Sequence, residues 1–194
     1  MANTQDRQAL ERRIQGLRER KLSLDMTRGK PGPEQLDLAG GLFTVLDRQG
    51  YRTPSGMDAR NYGGLDGFIE AKRLFAGLLE VDPEDLIIGG NSSLNLMFDT
   101  VAQCMTHGPC APGAAGKPWF GQGVSFLCPV PGYDRHFAIT EHFGIRMIPV
   151  PMDDHGPVMD RVEEIAGSDP SVRGMWCVPK YSNPSGAVYS EEVV

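Results

Sequence analysis

The chain has 194 residues, and its 25 acidic and 19 basic side chains are interspersed for a formal net charge of -6, which argues against a polyphosphate-binding surface and against nucleic acid as a partner. No run of roughly 18 apolar residues is present, so no membrane-spanning helix is expected, and the polar start of the chain has no secretory apolar core. The four cysteines are thinly spread, and Cys128 and Cys177 sit inside apolar strand-like runs, which points to reduced, buried thiols in a cytoplasmic protein.

Residues 3–20 carry Leu10, Ile14 and Leu17 at helical spacing and predict one amphipathic helix. The glycines and prolines from Gly29 to Pro33 break regular structure, and a short helix is expected soon after them. Leu65, Phe68, Ile69, Lys72, Phe75, Leu78 and Leu79 form a 3.6-residue stripe and predict the next helix. A turn, a short strand over Leu86–Ile88 and a helix capped by Asn91, Ser92 or Ser93 follow. HGPCAPGAAGKPWFGQG reads as a long surface loop. Beyond it come a strand, turn and helix in SFLCPVPGYDRHFAITEHFG and a strand and turn in IRMIPVPMDDHG. A helix with Pro157 in its first turn, a strand over VRGMWCVP, the turn SNPSG and the opening of another helix at SEEVV complete the chain.

Strand-like and helix-like runs alternate, with connections of crossover length. That predicts an α/β fold: a mostly parallel sheet with helices on both faces. Ligands of such sheets bind beyond the carboxyl ends of the strands. The loops to inspect are therefore those after Ile88, Cys128 and Val178.

In GGNSSLN, glycines lead into a helix opened by small polar residues, which makes either an ordinary N-cap or an anion site of free N–H groups. In CPVPGYDRH, a rigid turn sets Tyr133 at a helix start, where its ring either packs on a neighbour or stacks on a planar ligand. Asp134, Arg135 and His136 are expected to be exposed helix residues or ion-pair partners. In VPKYSNPSG, prolines restrict the backbone around Asn183, whose amide both donates and accepts; a plain Asn-Pro turn is the alternative. Gly29 of TRGKP allows close backbone approach to a carboxylate, and Tyr62 of NYGG is a ligand-contact, interface or helix-packing residue. Cys104, His107 and Cys110 lack the second pair a structural metal site needs, and no GxSxG elbow is present, so neither a metal site nor hydrolase chemistry is expected.

The order GGNSSLN, PGY, SNPSG, together with TRGKP and NYGG, resembles the pyridoxal-phosphate aminotransferases of the aspartate aminotransferase fold (fold type I), and more closely a bacterial group similar to regulator-linked aminotransferase domains. The resemblance runs from about Leu22 to the end and is weakest over residues 107–122. It implies that residues 1–50 are an N-terminal arm and part of a small domain, and that 51–194 are the first part of the cofactor-binding large domain. Asn91, Ser92 and Ser93 would then hold the phosphate of pyridoxal 5'-phosphate, although relatives often place Gly or Ala with Ser, Thr or Gln there. Tyr133 would stack on its ring, and Asn183 would bind its phenolic oxygen and sit near the substrate carboxylate. Gly29 would lie at the substrate end, and Tyr62 would reach the partner's cofactor in a homodimer. The cofactor lysine is expected beyond Val194. The implied activity is amino-group transfer between L-aspartate and 2-oxoglutarate in the cytoplasm. A β-lyase, a decarboxylase and a cofactor-binding sensor domain are the alternatives.

Overall fold

Polar and apolar residues alternate with helical period at the start of the chain, and helix α1 spans Thr4–Glu19. Its stripe of Leu10, Ile14 and Leu17 is about half exposed. The computed structural model describes residues 4–23, 29–45, 50–111 and 114–194. Thr27 and Arg28 of the TRGKP segment lie outside the described residues. Two compact units form, Met1–Gly63 and Gly64–Val194. In the first, helix α2 is Pro33–Asp37, entered by a proline in its first turn, and a 3-10 turn covers Gly40–Thr44. A bridge between Arg52 and Asp58 then closes a tight loop. Arg60 pins that loop by pairing with Asp58 at 2.6 Å and lying 4.6 Å over the Tyr51 ring.

The second unit opens with helix α3, Ile69–Leu79. The stripe had placed Leu65 in this helix, but Leu65 is fully exposed in the preceding loop and Phe68 is the N-cap. Gly64 and Gly67 flank that loop and oppose helical continuation. Lys72 is buried and its ammonium donates to Asp66 at 2.6 Å, which ties the loop to the helix. Leu86–Ile88 is extended but forms no strand, a correction to the sequence reading. Its one inward tie is Ile88 N–H to the Asp66 carbonyl, and Ile87 is largely exposed. A strand needs a neighbour for its N–H and C=O groups, and this segment has no ladder partner among the described residues.

Helix α4, Ser93–His107, runs into a small hairpin of β1, Cys110–Ala111, and β2, Ala114–Ala115. The described residues between 107 and 123 are mostly exposed, as expected of a surface segment, but the far end of the segment is tied to α4. The N–H groups of Trp119 and Phe120 donate to the carbonyls of Cys104 and Met105, which turns Trp119 into the core. Strand β3, Ser125–Val130, is buried over its first five residues, as a strand covered on both faces must be. Helix α5, Asp134–His142, leads to β4, Arg146–Asp153, which pairs parallel to β3. The short strand β5, Gly156–Pro157, turns back antiparallel on β4 and takes Pro157 out of the helix expected to hold it; helix α6 is Met159–Ser168. Strand β6, Val172–Met175, pairs parallel with the other side of β3. It ends before Trp176, short of the predicted Val178. Residues 190–194 form a turn in which Val194 N–H donates to the Ser190 carbonyl at 3.1 Å, the i→i+4 bond of a helical turn.

The sheet order is β5-β4-β3-β6, parallel across its three main strands and flanked by helices. This is the α/β arrangement expected. Val101 and Met105 of α4 and Ile139 of α5 pack with Phe126 and Cys128 of β3. Burial pushes the Cys128 thiol up to about 11, so it stays protonated. Cys177 is exposed, against expectation, because β6 has already ended. Among the described residues, no helix is long and apolar enough to cross a membrane.

Candidate active site

Because β3 and β6 are parallel neighbours, the chain leaves both at the same end of the sheet. Tyr133 follows the first and Asn183 the second. Gly132 makes the first turn possible: a Cβ there would collide with the Pro129 carbonyl and would sit 2.6 Å from the Phe137 ring. Tyr133 then serves as N-cap of α5 in an extended conformation, with its ring half-buried. The second turn is closed by Ser182 N–H to the Ala187 carbonyl at 2.8 Å and by Gly186 N–H to the Ser182 carbonyl. Ser182 is buried, and its neighbour Asn183 is exposed. Tyr133 and Ser182 line one small cavity of about 10 Å³ with His136, Trp176 and Tyr189.

The third predicted element lies at the start of α4. Ser92 is its N-cap, and its hydroxyl oxygen accepts from Asn95 N–H at 3.4 Å. Asn91 and Ser93 are exposed beside it. In an α-helix the first N–H groups have no intrahelical acceptor, so those of Ser93 and Leu94 remain available at the positive end of a 15-residue helix. Ser93 also lines an apolar pocket of about 470 Å³ with Met97, Phe126 and Trp176. Trp176 thus borders both the pocket under the GGNSSLN segment and the cavity beside Tyr133.

His136 overturns its expected exposure. It is 5% exposed, because one turn after Tyr133 it faces inward and stacks on Trp176. Burial lowers its pKa, so the imidazole is neutral at neutral pH. Asp134 and Arg135 are exposed as expected, and approach each other at 4.0 Å. The residues that sequence reasoning missed are Trp176, His136, Ser182 and Tyr189. The i,i+3 spacing of Tyr133 and His136 was the available signal for one of them; the rest come together only through the sheet.

Gly29 and Tyr62 belong to the first unit. Gly29 is exposed, and a Cβ there would meet nothing within 4 Å. Tyr62 is fully exposed, and its N–H donates to the Asn61 side chain at 2.8 Å.

The family model described as aspartate amino-transferase matches residues 2–194. The chain belongs to the aspartate amino-transferase family. A curated relative from Mycolicibacterium smegmatis is 48% identical over 187 residues, which are 95% of this chain and 43% of that protein. An aspartate aminotransferase from Corynebacterium glutamicum is 45% identical over 185 residues, 95% of this chain and 42% of that protein. Among solved structures, an aspartate transaminase from Corynebacterium glutamicum superposes with a TM-score of 0.84 at 44% identity, covering 96% of this chain and 43% of that one. The chain therefore spans less than half the length of the curated relatives it matches. The mostly parallel sheet flanked by helices is that of an incomplete large domain of the fold type I aminotransferases.

Proposed function

We propose that the protein is a pyridoxal 5'-phosphate-dependent aminotransferase that moves an amino group from L-aspartate to 2-oxoglutarate. The observation that carries this reading is the convergence of the Tyr133 turn and the SNPSG turn at one end of two adjacent parallel strands, around a cavity they share. A flat, dianionic phosphate ester needs an anion cradle, a ring wall and a polar group for its phenolic oxygen. The free N–H groups at the start of α4, with the side chains of Asn91, Ser92 and Ser93, fit the phosphate. The half-buried Tyr133 ring fits the wall. The Asn183 side-chain amide, exposed at the tip of a pinned turn, fits the phenolic oxygen and the substrate carboxylate.

When bound, the cofactor supplies the electron sink that takes up charge as a substrate loses its α-proton. The chain's own residues bind and orient. The α4 N-terminus would neutralise the phosphate, Tyr133 would form a wall for the ring, and Asn183 would hold its phenolic oxygen. Gly29 is proposed to meet the substrate end through its backbone. The full exposure of Tyr62 supports a role at a two-fold interface, reaching the cofactor phosphate of a second copy. Residues 1–50 are read as arm and small-domain segment, and 51–194 as the first part of the large domain. Preference for L-aspartate is supported by the function of the Corynebacterium glutamicum relative.

The test is titration of the full-length protein with pyridoxal 5'-phosphate, followed by product analysis with L-aspartate and 2-oxoglutarate. Oxaloacetate and glutamate in equal amounts are expected. Pyruvate or alanine in their place would move the assignment to a lyase or decarboxylase, and no visible absorbance band after dialysis against the cofactor would overturn the reading.

A further inference from the structure

Among the described residues the Tyr133 side chain makes no hydrogen bond that would set its ring, and as N-cap of α5 it makes no side-chain cap bond. Among the described residues its ring contact is His136, edge to face at 5.1 Å and 85°. His136 in turn lies flat on Trp176, with centroids 4.9 Å apart and planes 21° apart. Trp176 is backed by Phe126 at 5.6 Å, and Phe126 meets Trp119 at 5.9 Å. The ladder is therefore anchored in the central strand and in the segment that folds back on α4. Gly174 leaves room for it, because a Cβ there would sit 2.7 Å from the Phe126 ring. Trp176 has one further peculiarity: its indole N–H is shut off from solvent and has no partner among the described residues. Buried donors are nearly always satisfied, so a tryptophan kept here must be worth its unpaired N–H through its ring face.

We propose that Trp176 is a positioning residue: through His136 it fixes the pose in which the Tyr133 ring meets a planar ligand. This rests on the reading of Tyr133 as the cofactor wall and deepens it. It differs from a plain core role, in which Trp176 would add stability and leave ligand recognition alone. A ring face relayed through one stacked and one edge-to-face contact acts on the aromatic part of the ligand and not on its phosphate, which α4 would hold.

The experiment uses the full-length protein and two probes, pyridoxal 5'-phosphate and inorganic phosphate as its competitor. Trp176→Leu is expected to raise the Kd for pyridoxal 5'-phosphate about 3- to 10-fold, the range of a lost aromatic pair, and to leave the Kd for inorganic phosphate unchanged. Trp176→Phe, which keeps a ring face, is expected to restore most of the loss. In a double-mutant cycle, Tyr133→Leu and Trp176→Leu are expected to be non-additive. Equal effects on both probes, no effect on either, or additivity with Tyr133→Leu would overturn the proposal. Should Trp176→Leu fail to fold, His136→Leu carries the same prediction, with His136→Phe as its rescue. Failure of the unaltered protein to bind pyridoxal 5'-phosphate would instead reject the aminotransferase reading.

Discussion

The hydroxyl oxygens of Ser125 and Ser171 lie 2.8 Å apart, joining the first residue of β3 to the residue just before β6. Ser125 is fully buried and its hydroxyl also accepts from Arg146 Nε at 2.9 Å, at the first residue of β4. Ser171 donates to Asp169 at 2.6 Å, and Asp169 pairs with Arg146. One polar network thus laces the starts of three strands, at the sheet end opposite the candidate site. Since the Ser171 proton goes to Asp169, Ser125 donates to the Ser171 oxygen, and Ser125→Ala would strand both that oxygen and the Arg146 Nε–H that donates to Ser125. The expected cost is about 1–3 kcal/mol in urea denaturation, with cofactor affinity unchanged.

His136 makes stability depend on pH in a calculable direction. Burial lowers its folded-state pKa below the ordinary value of 6.5. Below about pH 6.5 the unfolded chain takes up a proton that the folded chain refuses. The stability contributed by the neutral imidazole is therefore complete above that pH and is lost as pH falls through the window toward the depressed folded value. His136→Phe, which keeps the stack and cannot titrate, is expected to flatten the Tm profile below about pH 6.5. An unchanged slope would show that His136 is not the group responsible.

Leu127 sits at the middle of β3 and is 2% exposed. Leu127→Ala opens a cavity in a strand covered on both faces, with an expected loss of about 2–5 kcal/mol. Chemical denaturation monitored by Trp fluorescence measures it.

Asn183 is exposed, so its replacement removes no packing. Asn183→Ala in the full-length protein is expected to keep the fold and the bound cofactor, while kcat falls about 10-fold or more through loss of a hydrogen bond to a charged oxygen. Stopped turnover with intact Tm and retained visible absorbance is the expected signature; unchanged kcat would remove Asn183 from the site.

Elements with a dense local signal were legible in advance. α4 announced itself by a cap among Asn91, Ser92 and Ser93, of which the structure uses Ser92, and β3 by the apolar run that opens SFLCPVPGYDRH. The two turns that carry Tyr133 and Asn183 were legible because Pro and Gly restrict or free the backbone residue by residue. Leu86–Ile88 misled for the opposite reason: β-propensity marks residues that suit a strand, but the strand exists only where a neighbour supplies the ladder. Leu65 and Pro157 misled at element boundaries, where glycine flanks and the β4–β5 pairing overrode the helical stripe.

What the amino-acid order determined alone was the sequence of local devices: a capped helix start, an aromatic on a rigid turn, and an asparagine between prolines. Each is encoded within a few residues by backbone sterics and hydrogen-bonding side chains. Only the tertiary structure decided that His136 turns inward, that Trp119 folds back on α4, and that Trp176 ends up between helix α4 and the Tyr133 ring. The contacts of Trp176 with His136 and with the pocket at α4 join residues 40 or more positions apart, and no local period carries them. They follow from the parallel pairing of β3 with β6, which brings the two strand ends side by side.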